Sequence, residues 1–361
     1  MDKKLRVGIV GCGGIANGKH MPSLAKIKEV EMVAFCDVIE SKAKDAAAKF
    51  GAPDALVCTD YKEIVNDLSI DVVHVCTPNK SHADITIDML NSGKHVMCEK
   101  PMAKTAADAK RMVEAYKASG KKLTIGYQGR YTAQSLYLKQ ICDAGDLGEI
   151  YYAKAHAVRR RAVPTWGVFL NEEEQGGGPL IDIGTHALDL TLWMMNNYEV
   201  ESVTGSVYRK LADTKNAANA WGPWDPKLFT VEDAAFGFIK MKNGATIQLD
   251  ATWAINMLDV KESCTTLCGT KAGADMDDGL RINGEKFGRM YVTKPDLKSG
   301  GVAFYDGTVT KDPSVYEARQ WIDSILNDTL PTVLPEQALV VSQILEAVYE
   351  SAKSGKPVYF K

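Results

Sequence analysis

The sequence contains no long hydrophobic run and no excess of positive charge, and each absence excludes a class of protein. No stretch of about 18 apolar residues occurs in the 361 residues, so we expect no membrane-spanning helix. There are 43 basic and 46 acidic residues, a net charge of −3, which does not fit a nucleic-acid-binding protein. The hydrophobic fraction of 45% is that of a folded globular chain and excludes a disordered one.

Cysteine is also scarce, with eight residues, which excludes a small disulfide-stabilised scaffold. No Cys-x-x-Cys pair occurs, and Cys264 and Cys268 lack the neighbouring ligands of a zinc site, so no metal is expected. This usage fits small buried side chains in a reducing cytosol. Glycines interrupt the first apolar run from Gly8 onward, unlike a secretory signal, and we therefore expect a cytoplasmic protein.

The length predicts two domains, and the pattern changes after residue 126. Up to that point, short β-rich runs without polar alternation alternate with helical stretches, which is typical of a doubly wound parallel sheet in an α/β domain. The predicted strands are 5–10, 31–36, 71–76, 95–98 and 123–126. The predicted helices are 41–50, 61–67, 82–92 and 105–119.

Residues 127–361 have a different pattern, which predicts an α+β domain with a large, open, mostly antiparallel sheet. An Asn243-Gly244 turn between two alternating runs predicts a β-hairpin. The segments 209–229 and 283–306 are rich in glycine, proline and charge, and we expect long loops there that act as lids, binding loops or interface arms. The predicted strands are 150–158, 202–208, 236–241 and 245–252, and the predicted helices are 132–144, 314–327 and 335–354.

A glycine-rich motif directly follows the first predicted strand. Its sequence is Gly11-Cys12-Gly13-Gly14-Ile15-Ala16, which matches Gly-x-Gly-x-x-Ala. The first glycine permits a tight turn, the second lets the backbone approach a pyrophosphate, and the small last residue lets helix and strand pack closely. The phosphates would lie on free N–H groups at the start of the helix. Residues 1–126 are therefore predicted to form a dinucleotide-binding Rossmann domain.

Asp37 ends the second predicted strand, 21 residues after Ala16. A carboxylate at this place binds the adenosine ribose hydroxyls, although an acidic residue there also serves as a helix N-terminal cap. The negative charge repels a 2′-phosphate, and neither Val38 nor Ile39 offers a basic partner for one. NAD is therefore expected in preference to NADP, with Lys42 as the one nearby cation.

Two further segments carry polar residues that packing alone does not explain. Glu99-Lys100-Pro101 follows the predicted strand 95–98, at the sheet edge where open α/β sheets bind ligands. Asp182 and His186 are four residues apart at the start of a very apolar run, so they share one face of a helix. The alternatives are a solvated Glu–Lys pair, a capping aspartate beside a core histidine, or a metal pair without an evident third ligand.

Together these segments resemble the Gfo/Idh/MocA oxidoreductases, a family named for glucose–fructose oxidoreductase and inositol dehydrogenase. The match runs in the expected order over nearly the whole chain, and the set of motifs is specific although no single motif is. The matching pieces are the glycine motif, Thr77-Pro78-Asn79 with His82, Glu99-Lys100-Pro101, Gly177-Gly178-Pro179-Leu180-Ile181-Asp182-Ile183-Gly184-Thr185-His186, and the tail Glu346-Ala347-Val348-Tyr349-Glu350-Ser351-Ala352.

The resemblance implies a nicotinamide enzyme that acts on a secondary ring hydroxyl of a sugar, a cyclic polyol or a glycoside. It implies that Lys100 contacts substrate and relays the proton, and that Asp182 and His186 bind and deprotonate the hydroxyl. A histidine has a suitable pKa for that proton, and an ammonium group favours a developing alkoxide. Further residues implied at the cofactor are Thr77, Pro78, Asn79, His82, Glu99 near the nicotinamide ribose, and Gln128.

Candidate substrate residues follow from arginine donors and aromatic faces, which suit a polyhydroxylated ring. The alternatives for the arginine run are a solvated face or an interface, and for the tryptophans of the first long loop an interface anchor. The candidates are Tyr127, Arg130, Arg159, Arg160 and Trp166, with Trp221 and Trp224 in that loop.

Two other functions remain open from the sequence. One is a glycoside hydrolase that retains NAD and works by transient oxidation and elimination, and the other is a non-catalytic sensor of a sugar or NAD. Residues 127–361 are expected to bind substrate and to mediate homo-oligomerisation into a dimer or tetramer, because the apolar strand surface exceeds what one helix layer would cover. The last helix is expected to pack back on the first domain.

Overall fold

The computed structural model describes residues 4–297 and 312–361, and the chain divides into two compact units. The first unit comprises Met1–Gln128 and Thr310–Leu339, and the second comprises Gly129–Val309 and Val340–Lys361. Each unit is built on its own β-sheet. Neither unit is continuous in sequence, because the chain returns to the first unit after most of the second.

The sheet of the first unit has six parallel strands in the order β3-β2-β1-β4-β5-β6, counted in the described residues. Most strand residues are buried and apolar, as expected when both faces of a parallel sheet are covered. The prediction missed β3, which has only three residues and therefore no readable period. The strands are β1 (Leu5–Val10), β2 (Val30–Cys36), β3 (Leu56–Cys58), β4 (Val72–Val75), β5 (His95–Cys98) and β6 (Leu123–Ile125).

Helices of the first unit connect these strands, and one helix comes from much later in the chain. The helices are α1 (Met21–Leu24), preceded by a π-helical turn at Ala16–His20, α2 (Glu40–Phe50), α3 (Lys62–Asn66), α4 (His82–Asn91), α5 (Ala106–Ser119) and α9 (Pro313–Leu326). Ala318, Trp321 and Ile322 of α9 belong to the same buried core cluster as Met21 and Leu24 of α1. The late helix is therefore an integral part of this unit's core.

The sheet of the second unit has nine strands in its described residues, in the order β14-β13-β12-β11-β7-β10-β9-β8-β15. Only the β7–β10 pair is parallel. The Asn243-Gly244 hairpin is confirmed, with Gly244 at a φ of +89°. The strands are β7 (Ile150–Val158), β8 (Val200–Tyr208), β9 (Ala234–Met241), β10 (Thr246–Thr252), β11 (Glu262–Gly269), β12 (Ala272–Asp275), β13 (Arg281–Lys286), β14 (Arg289–Thr293) and β15 (Val358–Tyr359).

Helix α8 (Thr185–Met195) packs on one face of this sheet, against β7 and β11. The loop predicted at 209–229 contains no helix or strand, and all of its residues are described. The loop predicted at 283–306 is wrong over its first part, because β13 and β14 pair there as a hairpin. Residues 298–306 lie outside the described residues. The remaining helices are α6 (Ala133–Asp143), α7 (Glu172–Gln175), α8 (Thr185–Met195) and α10 (Pro335–Ser354).

Candidate active site

The predicted cofactor segments follow the carboxyl ends of parallel strands in the first unit. Gly11 follows β1, Asp37 follows β2, Thr77 lies two residues after β4, and Glu99 follows β5. Because all six strands run in the same direction, these ends lie at one edge of the sheet. The strands β1 and β4 are neighbours, so the strand order reverses between them. Open α/β sheets bind ligands at such a reversal.

The glycine loop has the geometry that its sequence predicts. Gly11 has a φ of +90°, and a Cβ atom there would lie 2.6 Å from the carbonyl oxygen of Cys76, so the turn requires glycine. Within the described chain, no atom from elsewhere lies within 4 Å of the Cβ positions of Gly13 and Gly14. The helical segment that begins at Gly14 continues through Ala16–His20. The loop therefore leaves room for a ligand at the start of a helix.

Asp37 holds the glycine loop through its carboxylate. Its Oδ2 accepts the N–H of Cys12 at 2.9 Å, and its Oδ1 accepts the N–H of Ile39 at 2.9 Å. The N-cap position of α2 is Ile39, so Asp37 does not fill the capping role that the sequence left open. A carboxylate beside open glycine backbone and a helix start fits the ribose and diphosphate of NAD.

The side chain of Glu99 lies in a buried network, and it is not part of a solvated pair. Its Oε1 accepts hydrogen bonds from Lys19 Nζ at 3.0 Å and from His20 Nε2 at 2.8 Å. Lys19 Nζ also lies 2.8 Å from Oε2 of Glu317 on α9. His20 Nδ1 lies 2.9 Å from Nδ1 of His74 in β4. The N–H of Lys100 donates to Oε2 of Glu99 at 3.1 Å, so this network is connected to the backbone of Lys100.

The charges of this network are set by burial and by the central lysine. Burial raises the pKa of Glu99, but the ion pair with Lys19 and the hydrogen bond from His20 hold it well below its usual value. Burial keeps the pKa of His74 well below its usual value, so His74 is neutral. Burial raises the pKa of Glu317, although Lys19 opposes that rise. Glu99 is therefore a stable anion, next to Lys100 in the chain.

His82 joins two of the predicted cofactor segments. Its Nε2 lies 2.9 Å from the carbonyl oxygen of Thr77, and its Nδ1 lies 2.8 Å from the carbonyl oxygen of Pro101. The side chain is fully buried, and burial lowers its pKa. Pro78 is exposed, and Asn79 begins a short 3₁₀ turn and is buried. His82 therefore lies between the Thr77 and Glu99-Lys100-Pro101 segments, and its neutral imidazole, with one N–H, donates to one of these two oxygens.

Asp182 and His186 lie in the second unit, on one continuous helical segment that begins at Pro179. The part Leu180–Gly184 is π-helical, a conformation often found at functional sites, and α8 follows it. Both side chains are half-buried. The indole N–H of Trp253 donates to Oδ2 of Asp182 at 3.2 Å, which orients that carboxylate.

The sequence motifs do not include several residues of these arrangements. Lys19 and His20 had a signal, since they lie three and four residues after the glycine motif. Trp253 and Glu317 had none, because they lie far along the chain from the residues that they contact. No local pattern records such long-range contacts.

Arg130 lies in a buried ion pair, and its contact with substrate stays a prediction. Its side chain is 0% exposed and forms a two-bond ion pair with Asp189, at 2.9 Å from Nε and 2.6 Å from Nη2. Its guanidinium also lies over the ring of Trp193. The guanidinium donors of Arg130 therefore hold α8 through Asp189. Tyr127 is also buried, and its contact with substrate stays a prediction.

The other substrate candidates lie in the second unit near an aromatic cluster. Arg159 forms an ion pair with Glu262 and lies over the ring of Trp221. Trp166, 51% exposed, contacts Trp221 edge-to-face with 4.9 Å between ring centroids. Phe169 contacts both Trp166 and Trp253, so aromatic rings connect this pair to the tryptophan that holds Asp182. Arg160 is exposed, and Trp224 is buried. The cofactor candidate Gln128, in the first unit, is also exposed.

Throughout residues 4–297 and 312–361, no helix has both the length and the apolar character needed to cross a membrane. All eight cysteines lie in this part of the chain and are unpaired, and six of them are buried.

Comparison with known proteins identifies two family models in this chain. Residues 5–127 match the oxidoreductase family model with an NAD-binding Rossmann fold, GFO_IDH_MocA. Residues 135–275 match the GFO/IDH/MocA C-terminal domain.

Individual relatives extend the similarity over the whole chain. D-glucoside 3-dehydrogenase of Escherichia coli is 33% identical over 98% of this chain and 97% of its own length. Inositol 2-dehydrogenase of Salmonella typhimurium is 34% identical over 71% of this chain and 74% of its own. The structure of aldose-aldose oxidoreductase from Caulobacter crescentus complexed with glycerol aligns with a TM-score of 0.80 and 25% identity, covering 99% of this chain and 100% of that one.

Proposed function

Because this chain belongs to the GFO/IDH/MocA family of NAD-binding oxidoreductases, we propose that it oxidises a secondary ring hydroxyl of a sugar, cyclic polyol or glycoside with NAD. Among these substrates we favour a glucoside oxidised at the 3-position. One observation carries this proposal: the similarity to D-glucoside 3-dehydrogenase covers 98% of the chain at 33% identity.

We propose the following division of the chemistry. The nicotinamide, when bound, supplies the hydride acceptor. His186 takes the proton from the hydroxyl oxygen, since an imidazole has a suitable pKa near neutrality. Asp182, oriented by Trp253, binds the substrate or orients His186. The ammonium of Lys100 favours the developing alkoxide and relays the proton.

We propose cofactor contacts for the first unit as well. The loop residues Gly11 to Ala16 hold the diphosphate, and Asp37 binds the adenosine ribose. The segment Thr77 to Asn79, Glu99 and Gln128 flank the nicotinamide half. The open space at Gly13 and Gly14 and the carboxylate of Asp37 support this assignment and favour NAD over NADP.

Three features of the whole protein also remain proposals. We propose that residues 1–126 bind the cofactor and that residues 127–361 bind substrate and mediate assembly into a homodimer or homotetramer. The exposed Phe238 of β9, which pairs with Thr204 and Gln248 on the neighbouring strands, supports an interface on the sheet. A cytoplasmic location is supported by eight free thiols.

The test is NADH absorbance at 340 nm with purified protein and NAD, against methyl glucosides, free glucose and myo-inositol. We expect NADH to form with a glucoside. Silence at 340 nm together with cleavage of the glucoside would indicate a hydrolase that retains NAD. Silence with all rings, with a melting temperature raised by NAD alone, would indicate a sensor.

Two variants test the residue roles in the same assay. Lys100→Ala and His186→Ala should each lower kcat by about 100-fold or more, because each removes a proton-transfer group. Lys104→Ala, four residues along the same segment, is the control and should leave kcat close to that of the wild type. Near-normal turnover in either of the first two variants would contradict its assigned role.

A further inference from the structure

We propose that Glu232 and Tyr349 are positioning residues that hold the helical segment carrying Asp182 and His186. The inference rests on the proposed function, since it concerns how that function's proton-transfer pair is placed. No motif drew attention to Glu232, and Tyr349 entered only as part of the tail resemblance.

Glu232 is a buried carboxylate, 6% exposed, that lies just before β9. Its Oε2 accepts the N–H of Gly178 at 2.8 Å, and its Oε1 accepts the N–H of Leu180 at 3.1 Å. The hydroxyl of Tyr349, on α10, donates to Oε1 at 2.9 Å. Three donors therefore converge on one carboxylate at the start of the helical segment, where backbone N–H groups have no partner within the helix.

The hydrogen bonds of Glu232 to Gly178, Leu180 and Tyr349 form a clamp. This clamp is connected to Asp182 through the backbone. The carbonyl oxygen of Gly178 accepts the N–H of Asp182 at 2.9 Å, so Glu232 fixes the peptide units that lead to this residue. At the other end, Trp253 holds the carboxylate of Asp182. The backbone N–H of Trp253 donates in turn to the carbonyl oxygen of Asp233, the residue after Glu232. Asp182 is thus held by Glu232 through its backbone and by Trp253 through its carboxylate, and the link from Trp253 to residue 233 uses only the backbone of Asp233.

This clamp explains the glycine pair that precedes the Asp182 motif. A Cβ atom at Gly177 would lie 2.0 Å from the hydroxyl oxygen of Tyr349. A Cβ atom at Gly178 would lie 2.4 Å from the backbone oxygen of Glu232. Any larger residue would push the segment away from its clamp. The glycines are needed for close approach, and two motifs about 170 residues apart therefore meet at one buried hydrogen-bond centre.

The neighbouring residue offers a matched control. Asp233 is also a buried carboxylate, 1% exposed, and it also accepts two backbone N–H groups, from Leu211 at 2.5 Å and Ala212 at 3.0 Å. Its side chain holds the loop 209–229 through these two backbone N–H groups. Glu232→Gln and Asp233→Asn therefore remove the same kind of charge from adjacent positions, and only the first weakens the clamp.

The experiment compares these two variants and Tyr349→Phe in the full-length protein. Glu232→Gln should lower kcat by about 10- to 100-fold, because a small displacement of a reacting group has effects of this size. The KM for NAD should stay within about twofold of the wild type, since the cofactor loop is not touched. Tyr349→Phe should lower kcat in the same direction by a smaller factor. Asp233→Asn should leave kcat within about twofold at a comparable loss of melting temperature.

A second readout does not depend on turnover. The chain has six histidines, so imidazole signals can be followed by NMR, with the His186 signal assigned by its loss in His186→Ala. Glu232→Gln should move the His186 signal, and Asp233→Asn should not. An unmoved His186 signal, or equal losses of kcat in the two variants, would overturn the inference. A wild-type protein inactive on every ring would refute the proposed function, while the NMR comparison would still test the clamp.

Discussion

At the scale of single residues, the carboxylate of Asp37 holds the protein backbone and is also proposed to bind the ribose of NAD. One oxygen accepts the N–H of Cys12 and the other accepts the N–H of Ile39. Each carboxylate oxygen has a second lone pair for a ribose hydroxyl. The same charge opposes a 2′-phosphate. We therefore propose that this one side chain sets the preference for NAD over NADP.

Asp37→Ala should weaken NAD binding by about tenfold or more, because a hydrogen bond to a charged group is lost, and should improve the relative use of NADP. Titration of the purified variant with each cofactor, followed by fluorescence, measures both constants.

Asp71→Ala is the control for this prediction. Asp71 accepts the N–H of Arg6 through its carboxylate at 2.9 Å, and it precedes β4, at the opposite edge of the same sheet. This variant should lose comparable stability and keep its cofactor affinities. Asp37 would have no place at the ribose if both variants bound NAD equally well.

At the scale of elements, α8 is held by a buried ion pair between Arg130 and Asp189. Burial raises the pKa of Asp189, although the adjacent guanidinium opposes that rise. Neither charge has water nearby to solvate it if its partner is removed. The pair therefore fixes the position of the helix that carries His186 at its start.

Arg130→Met should lower the free energy of unfolding by about 3–5 kcal/mol, since it leaves Asp189 buried without its partner. The double variant Arg130→Met, Asp189→Leu should recover most of that loss, because it removes both charges and keeps apolar volume. Urea unfolding monitored by tryptophan fluorescence measures all three proteins. If the double variant is no more stable than the single one, the unpaired Asp189 is not the cause of the loss. The attraction within the pair would then exceed the free-energy cost of burying its two charges.

How far the sequence predicted the elements follows from the range of each signal. Local signals located β1, β5, β7 and α10, because hydrophobic period and turn residues lie within each element. The hairpin β13–β14 was missed because β13 is mostly polar and the apolar residues of β14 follow one another without alternation. The ion pair of Arg130 was not predicted for a different reason: its partner Asp189 lies 59 residues away.

The residues of the candidate site also fall into those with a local sequence signal and those without one. The glycine loop, Asp37, Lys100, Asp182 and His186 stand in motifs, so sequence alone identified them. The residues that hold them, Lys19, Glu317, Trp253 and Glu232, depend on contacts that only the folded chain brings about. Sequence reasoning therefore found the groups expected to react and missed the groups that fix their positions.

At the scale of the whole molecule, the second sheet has aromatic residues on strands whose outer positions are otherwise polar. Phe238 is 50% exposed and pairs across the strands with Thr204 and Gln248. An exposed aromatic residue on an interior strand of a large sheet is a typical feature of a subunit interface.

Phe238→Lys should shift the protein from a homo-oligomer to a monomer at micromolar concentration, because it places a charge in the proposed interface. Sedimentation velocity measures the change. Leu68→Lys, at an exposed apolar residue of the first unit, is the control and should leave the oligomer intact. A monomeric wild-type protein would contradict the proposed assembly.

The late arrival of α9 in the first unit has a consequence for synthesis on the ribosome. Residues up to Gln128 emerge first and contain all six strands of the parallel sheet, but Trp321 and Ile322, which complete the core around Met21, are made almost 200 residues later. At translation speeds of about 5–20 residues per second, that interval lasts roughly 10 to 40 seconds. During this time the nascent first unit exposes the apolar surface that α9 later covers, and it must be shielded from aggregation until the second unit has been made.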